Sequence, residues 1–121
     1  MKQITTTVAR VLFAIPFLVF GLMHFMKGGD MVGYIPSFIP GGVFWVYLTG
    51  LGLVAASVSI LIQKKAKLAC LLLAIMLMIF ILTIHLPGVF DEATMQMSMP
   101  NMLKDLALCG AALFFSGSFA D

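Results

Sequence analysis

The chain has 121 residues, of which 62% are hydrophobic and only 10% charged, with a formal net charge of +2 and a mean hydropathy of +1.13. A soluble domain averages about 25% charged residues, so a water-soluble fold would lack the polar surface to cover itself; the expectation is one integral membrane domain over residues 1–121. The few basic residues flank apolar runs, which argues against a nucleic-acid binder, and Cys70 and Cys109 sit inside apolar runs without CxxC spacing, which argues against a redox pair or disulfide framework.

The first apolar run covers residues 4–26. A crossing helix needs roughly 20 apolar residues. Lys2 and Arg10 resemble the basic start of a signal peptide, but Leu22, Met23, His24 and Phe25 are too bulky for a small-x-small cleavage site, so the helix is expected to be retained. Pro16 should kink it. Arg10 lies about 9 Å into the helix at the ordinary helical rise, and its guanidinium is expected to snorkel to the cytoplasmic headgroups and position the helix.

Residues 28–42 form the one long polar, turn-rich interruption. Gly28-Gly29 should end the first helix. Pro36 and Pro40 keep the stretch between them out of regular structure, so it is expected to lie as a stiff cap over the helix ends.

The second span covers residues 42–62, with Trp45 and Tyr47 at its interfacial start. Gly52 with Ala56, and Ala55 with Ser59, have the small-xxx-small spacing that lets helices approach closely. The short basic turn at Lys64, Lys65 and Lys67 then forces an antiparallel hairpin, and its lysines set topology and touch anionic lipid. The third span covers residues 68–86 and is closed by Pro87-Gly88. Residues 87–100 read as a Met-rich outer loop, and residues 102–120 as a fourth, short span.

The predicted architecture is therefore all-α: an antiparallel four-helix membrane bundle with a Pro/Gly-rich capping loop between helices 1 and 2. Lys2, Arg10, Lys64, Lys65 and Lys67 fall on one side of it, against Lys27 and Lys104 on the other. The positive-inside rule then makes both termini cytoplasmic and puts residues 28–42 and 87–100 outside.

Several short motifs resemble the DoxX-like family of small four-helix bacterial membrane proteins. They are Arg10 with Gly21-x-x-His24-Phe25, then Tyr34-Ile35-Pro36-Ser37-Phe38-Ile39-Pro40, Tyr47-Leu48-Thr49-Gly50, the basic turn, and Asn101-x-x-Lys104-Asp105-Leu106 with Gly110. The resemblance implies a bacterial cytoplasmic (inner) membrane protein. The family in turn resembles, in part, the small membrane subunit of a thiosulfate:quinone oxidoreductase. One position departs from the pattern: Leu53 stands where many relatives carry an acidic residue.

The topology gathers His24, Lys27, Asp30, His85, Asn101, Lys104 and Asp105 near the outer surface, and ionisable residues at membrane depth default to a functional role. One reading is a quinone-binding mouth in which His24, His85 and Lys104 lead and Asn101 and Asp105 assist. No haem or iron–sulfur signature is present, so electron transfer would require a partner subunit. A second reading takes Met95, Met97 and Met99 as thioether ligands for Cu(I). A third is a non-catalytic scaffold or assembly factor that meets lipid and a partner protein, or a second copy of itself.

Overall fold

A computed structural model describes residues 1–35 and 37–119; Pro36, Ala120 and Asp121 lie outside the described residues, as does the side chain of Tyr34. The expectations that fall on Pro36 and on the end of the fourth span are therefore outside it too.

The described residues form helices and turns only. Helix α1 is Lys2–Met26, followed by a single turn α2, Gly28–Met31, and a 3₁₀ turn at Val32–Tyr34. Helix α3 is Val43–Ile62 and α4 is Ala66–Phe80. A π-helical turn, Ile81–His85, joins α4 to the short α5, Leu86–Val89. Helix α6 is Met95–Ser118. Three stretches are long and apolar enough to cross a membrane: Lys2–Met26, Val43–Ile62 and Ala66–Val89. Among the described residues α6 does not join them, because Gln96, Asn101, Lys104 and Asp105 dilute its N-terminal half.

The helices pair in opposite directions. Helices α1 and α3 form the tightest pair, and two glycines explain why. A Cβ on Gly21 would stand 2.6 Å from Val54 Cγ2 and 2.9 Å from the Gly50 carbonyl oxygen; one on Gly50 would stand 2.6 Å from His24 Cβ. Only hydrogen at both positions lets the backbones come this close. Further along the same seam the buried Ser57 hydroxyl donates to the Ala14 carbonyl at 2.9 Å. At its end Arg10 donates to the carbonyls of Ile60 and Leu61, at 3.1 and 2.7 Å. These belong to the last turn of α3, whose carbonyls lack intrahelical partners. Arg10 is thus a cap on a neighbouring helix, where the sequence suggested a residue reaching out to headgroups.

The α3–α4 connection is tight because Gln63 and Lys65 take left-handed backbone conformations, with φ 58° and 56°. Gln63 ends α3 in this way, and the Lys64 N–H closes back on the Ser59 carbonyl at 3.2 Å. The small residues Gly52, Ala55, Ala56 and Ser59 face α4 there, lining a groove with Ala69 and Met76. Helices α4 and α6 form the second pair, in which the Cys109 thiol donates to the Ala74 carbonyl at 3.4 Å. The core joins both pairs through Phe17, Leu53, Ile60, Cys70, Leu73, Leu77 and Ala112, and Phe13 of α1 stacks on Phe115 of α6 with centroids 4.7 Å apart.

Helix α1 ends at Met26, just ahead of Gly28-Gly29, but Gly28 opens α2 rather than a left-handed turn, and a Cβ there would meet the Tyr47 ring at 2.7 Å. Pro16 sits inside α1, as read from the sequence. Two boundaries differ from the sequence reading. Pro87 does not end the third helix. A proline cannot donate to the carbonyl four residues back and its ring crowds that oxygen, here that of Thr83. The chain widens into the π turn just before it, with the Leu86 N–H reaching the Ile81 carbonyl, and runs on to Val89. Finally, the expected loop of residues 87–100 shrinks to residues 90–94. There Asp91 Oδ1 accepts from the Ala93 N–H at 3.0 Å and Thr94 Oγ1 donates to the Gly88 carbonyl at 2.7 Å. Met95, Met97 and Met99 belong to the first turns of α6 instead, as fits the high helix propensity of methionine.

Candidate functional site

The two helix pairs part at the end where α1 finishes and α6 begins. A cavity of about 650 Å³ lies between them, a size within the range of about 300–1,000 Å³ that small-molecule sites occupy. Its walls are largely apolar: Phe17 and Phe20 from α1, Val46 and Leu53 from α3, Leu77 and Phe80 from α4, and Leu108 from α6. Gly33, Ile35 and Ile39 reach it from the connection after α2. That connection enters α3 through Gly41 and Gly42, with φ of 111° and 50°, and the Trp45 indole N–H donates to the Pro40 carbonyl. Trp45, the only tryptophan in the chain, also lines the cavity.

The polar groups collect on its α5–α6 side and at His24. The five residues expected at the quinone mouth, His24, His85, Asn101, Lys104 and Asp105, line this one cavity, whereas Lys27 and Asp30, expected at the same surface, do not. His85 Nε2 donates to Asp105 Oδ2 at 2.8 Å, with only 16% and 6% of the two side chains exposed. Lys104 Nζ stands 3.6 Å from Asp105 Oδ1 and 3.5 Å from Asn101 Oδ1. It also lies over the Phe20 ring, 4.7 Å from the centroid. Asn101 Nδ2 in turn donates to the Met97 carbonyl at 2.9 Å. The buried carboxylate therefore has two cationic or donor partners from two helices, as a charge in an apolar setting requires.

His24 is held differently. Its Nδ1 lies 2.6 Å from the Phe20 carbonyl oxygen, four residues back in α1. A carbonyl can only accept, so Nδ1 carries a proton, which in a neutral ring leaves the lone pair on Nε2. Gly50 makes room for this ring to sit against α3.

The sequence singled out His85 but did not pair it with Asp105, and two features hid the pairing. Asp105 lies on another helix, and the π turn that carries His85 is invisible to helical periodicity; such turns recur at functional sites. Thr49, Thr83, Thr94 and Ser98 also line the cavity and were not singled out. The thioether set does not stay together. On a helix Met95 and Met99 share a face while the residue between them points away, and Met97 alone of the three lines the cavity. Among the described residues no group of three or more His, Cys, Asp or Glu side chains is placed to hold a metal ion.

No curated protein and no solved structure matches the chain. The model of the family described as "Domain of unknown function (DUF8561)" matches residues 13–113. Those residues contain both glycines of the α1–α3 crossing and all five polar residues of the cavity, and the chain belongs to that family.

Proposed function

We propose that the chain is an integral membrane protein of DoxX-like type, an antiparallel four-helix bundle with both termini cytoplasmic. Its cavity takes the head group of a membrane quinone, and it serves as the membrane subunit of a quinone-linked redox complex. The observation that carries this reading is the cavity itself: aromatic and aliphatic walls that suit a lipophilic ring, with His24 and the His85–Asp105–Lys104 cluster converging on it.

Membrane integration is supported by where the apolar residues sit. Leu12, Ile15, Val19 and Leu22 on α1, Leu51 and Val58 on α3, and Leu72, Ile75 and Ile79 on α4 are all exposed. Continuous apolar surface of this extent is untenable in water and ordinary against acyl chains. Helix α6, polar in its first turns, would keep them at the level of the headgroups.

Titration of the detergent-purified protein with a short-chain quinone, followed by Trp45 fluorescence, tests the proposal. Saturable quenching at micromolar ligand is expected. Absence of saturable binding, together with a redox-inactive protein that co-purifies in fixed ratio, would favour the scaffold reading instead.

A further inference from the structure

We infer that the cavity selects the reduced, hydroxyl-bearing form of its aromatic ligand, a hydroquinone or phenol, over the carbonyl-bearing quinone. This rests on the quinone-site reading above and adds a polarity to it.

The inference comes from hydrogen-bond accounting. A quinone offers only acceptors, so a site built for it needs free donors. Most side-chain donors that line this cavity are already spent within the chain. Trp45 Nε1 donates to the Pro40 carbonyl. The Thr49, Thr83 and Thr94 hydroxyls donate to backbone carbonyls of their own or a neighbouring turn. One of the two N–H groups of Asn101 Nδ2 is held by the Met97 carbonyl. The Lys104 ammonium is turned toward groups of the chain itself, 3.6 Å from Asp105 Oδ1, 3.5 Å from Asn101 Oδ1 and over the face of Phe20. His85 Nε2 is directed at Asp105. Among the described lining side chains, the second Asn101 N–H and the Ser98 hydroxyl stay uncommitted, and the hydroxyl can accept as readily as donate.

What the wall does offer is a fixed acceptor. The Phe20 carbonyl holds a His24 proton on Nδ1, so in a neutral ring the nitrogen left over for a ligand, Nε2, carries a lone pair and not an N–H. A phenolic hydroxyl can donate to it; a quinone carbonyl cannot. Facing two acceptors, a quinone would leave its oxygen and the imidazole nitrogen both desolvated and unpaired, and a site built for one hydrogen-bond polarity rejects the opposite one for this reason.

The test is a set of titrations on the intact protein in detergent micelles, read as the midpoint of Trp45 quenching. The probes are a short-chain benzoquinone, its hydroquinone kept under argon, and the dimethyl ether of that hydroquinone. The dimethyl ether matches the hydroquinone in shape and lacks its hydroxyl protons. The hydroquinone is expected to bind about 3- to 10-fold more tightly than either of the others, the worth of one ordinary hydrogen bond. His24→Leu should abolish that preference, so that the hydroquinone and its dimethyl ether bind within about 2-fold of each other. Equal or tighter binding of the quinone or the dimethyl ether by the unaltered protein overturns the inference and leaves the quinone site standing. Retention of the preference in His24→Leu overturns the role given to His24. If none of the three binds saturably, the site reading and the inference fall together.

Discussion

The two ends of the molecule solve opposite problems with the same helices. At the end of the Gln63–Lys65 turn the helices pack closely. Arg10 caps α3, Ser57 ties α1 to α3, and Ala66, Cys70 and Leu73 are buried between the pairs, with a groove left along Gly52, Ala55, Ala56 and Ser59. At the other end α1 and α3 stay in contact through Gly21 and Gly50, yet the α4–α6 pair stands away from them and a cavity opens. The closed end is held by backbone carbonyls that need donors. The open end is held by charges that need each other. The difference teaches that the cavity is not loose packing. It is bounded by the glycine crossing of α1 and α3 on one side and by the His85–Asp105–Lys104 cluster on the other.

The comparison breaks most severely at the glycine crossing. Gly50→Val should lower stability by about 3 kcal/mol, the upper range for overpacking, because the added atoms meet both α1 and the His24 ring. A thermal melt in detergent would check this, and a matching melt of Gly110→Val should show little change, since nothing lies within 4 Å of a Cβ there. His85→Leu comes next, at about 2 kcal/mol. It leaves the buried Asp105 with only the half-exposed Lys104 as partner. The loss should shrink when Asp105→Leu is added to it, and a double-mutant cycle would measure that coupling.

At the closed end Arg10→Ala should cost about 1–2 kcal/mol through the lost bonds to Ile60 and Leu61. Faster hydrogen exchange confined to the last turn of α3 would identify the cause, with quinone binding unchanged. The smallest effect belongs to the methionines. Met95→Leu combined with Met99→Leu, both on exposed side chains, should stay within about 0.5 kcal/mol and should not alter the copper content of protein purified from copper-fed cells.

How legible all this was depended on what each feature needs. The apolar runs are one-dimensional signals, so residues 4–26 and 42–62 were read nearly as Lys2–Met26 and Val43–Ile62 stand. Both errors at the far end came from proline. Pro87 and Pro100 were taken as boundaries, because a proline is incompatible with an unbroken α-helical ladder. The chain instead widens before Pro87 and carries Pro100 within α6. The candidate residues were found because ionisable groups stand out in an apolar chain. Their pairing was not, since His85 and Asp105 are 20 residues apart and no periodicity links two helices. The glycines were noticed only as part of a resemblance; the crossing of α1 and α3 supplies their physical reason.

The π turn has a consequence for how this helix can change over time. Such a turn amounts to one inserted residue, and it displaces every later side chain by about 100° from where an unbroken helix would put it. Upstream, Cys70, Leu73, Leu77 and Ile81 keep their phase against the core. Downstream, His85 and Gly88 are set on a separate phase against α6. The two halves of the helix are thus uncoupled. A single-residue deletion within Ile81–His85 would leave the core ladder in place and re-aim only the cavity. In this stretch an insertion or deletion, rather than a substitution, is the natural step by which one scaffold acquires a different ligand.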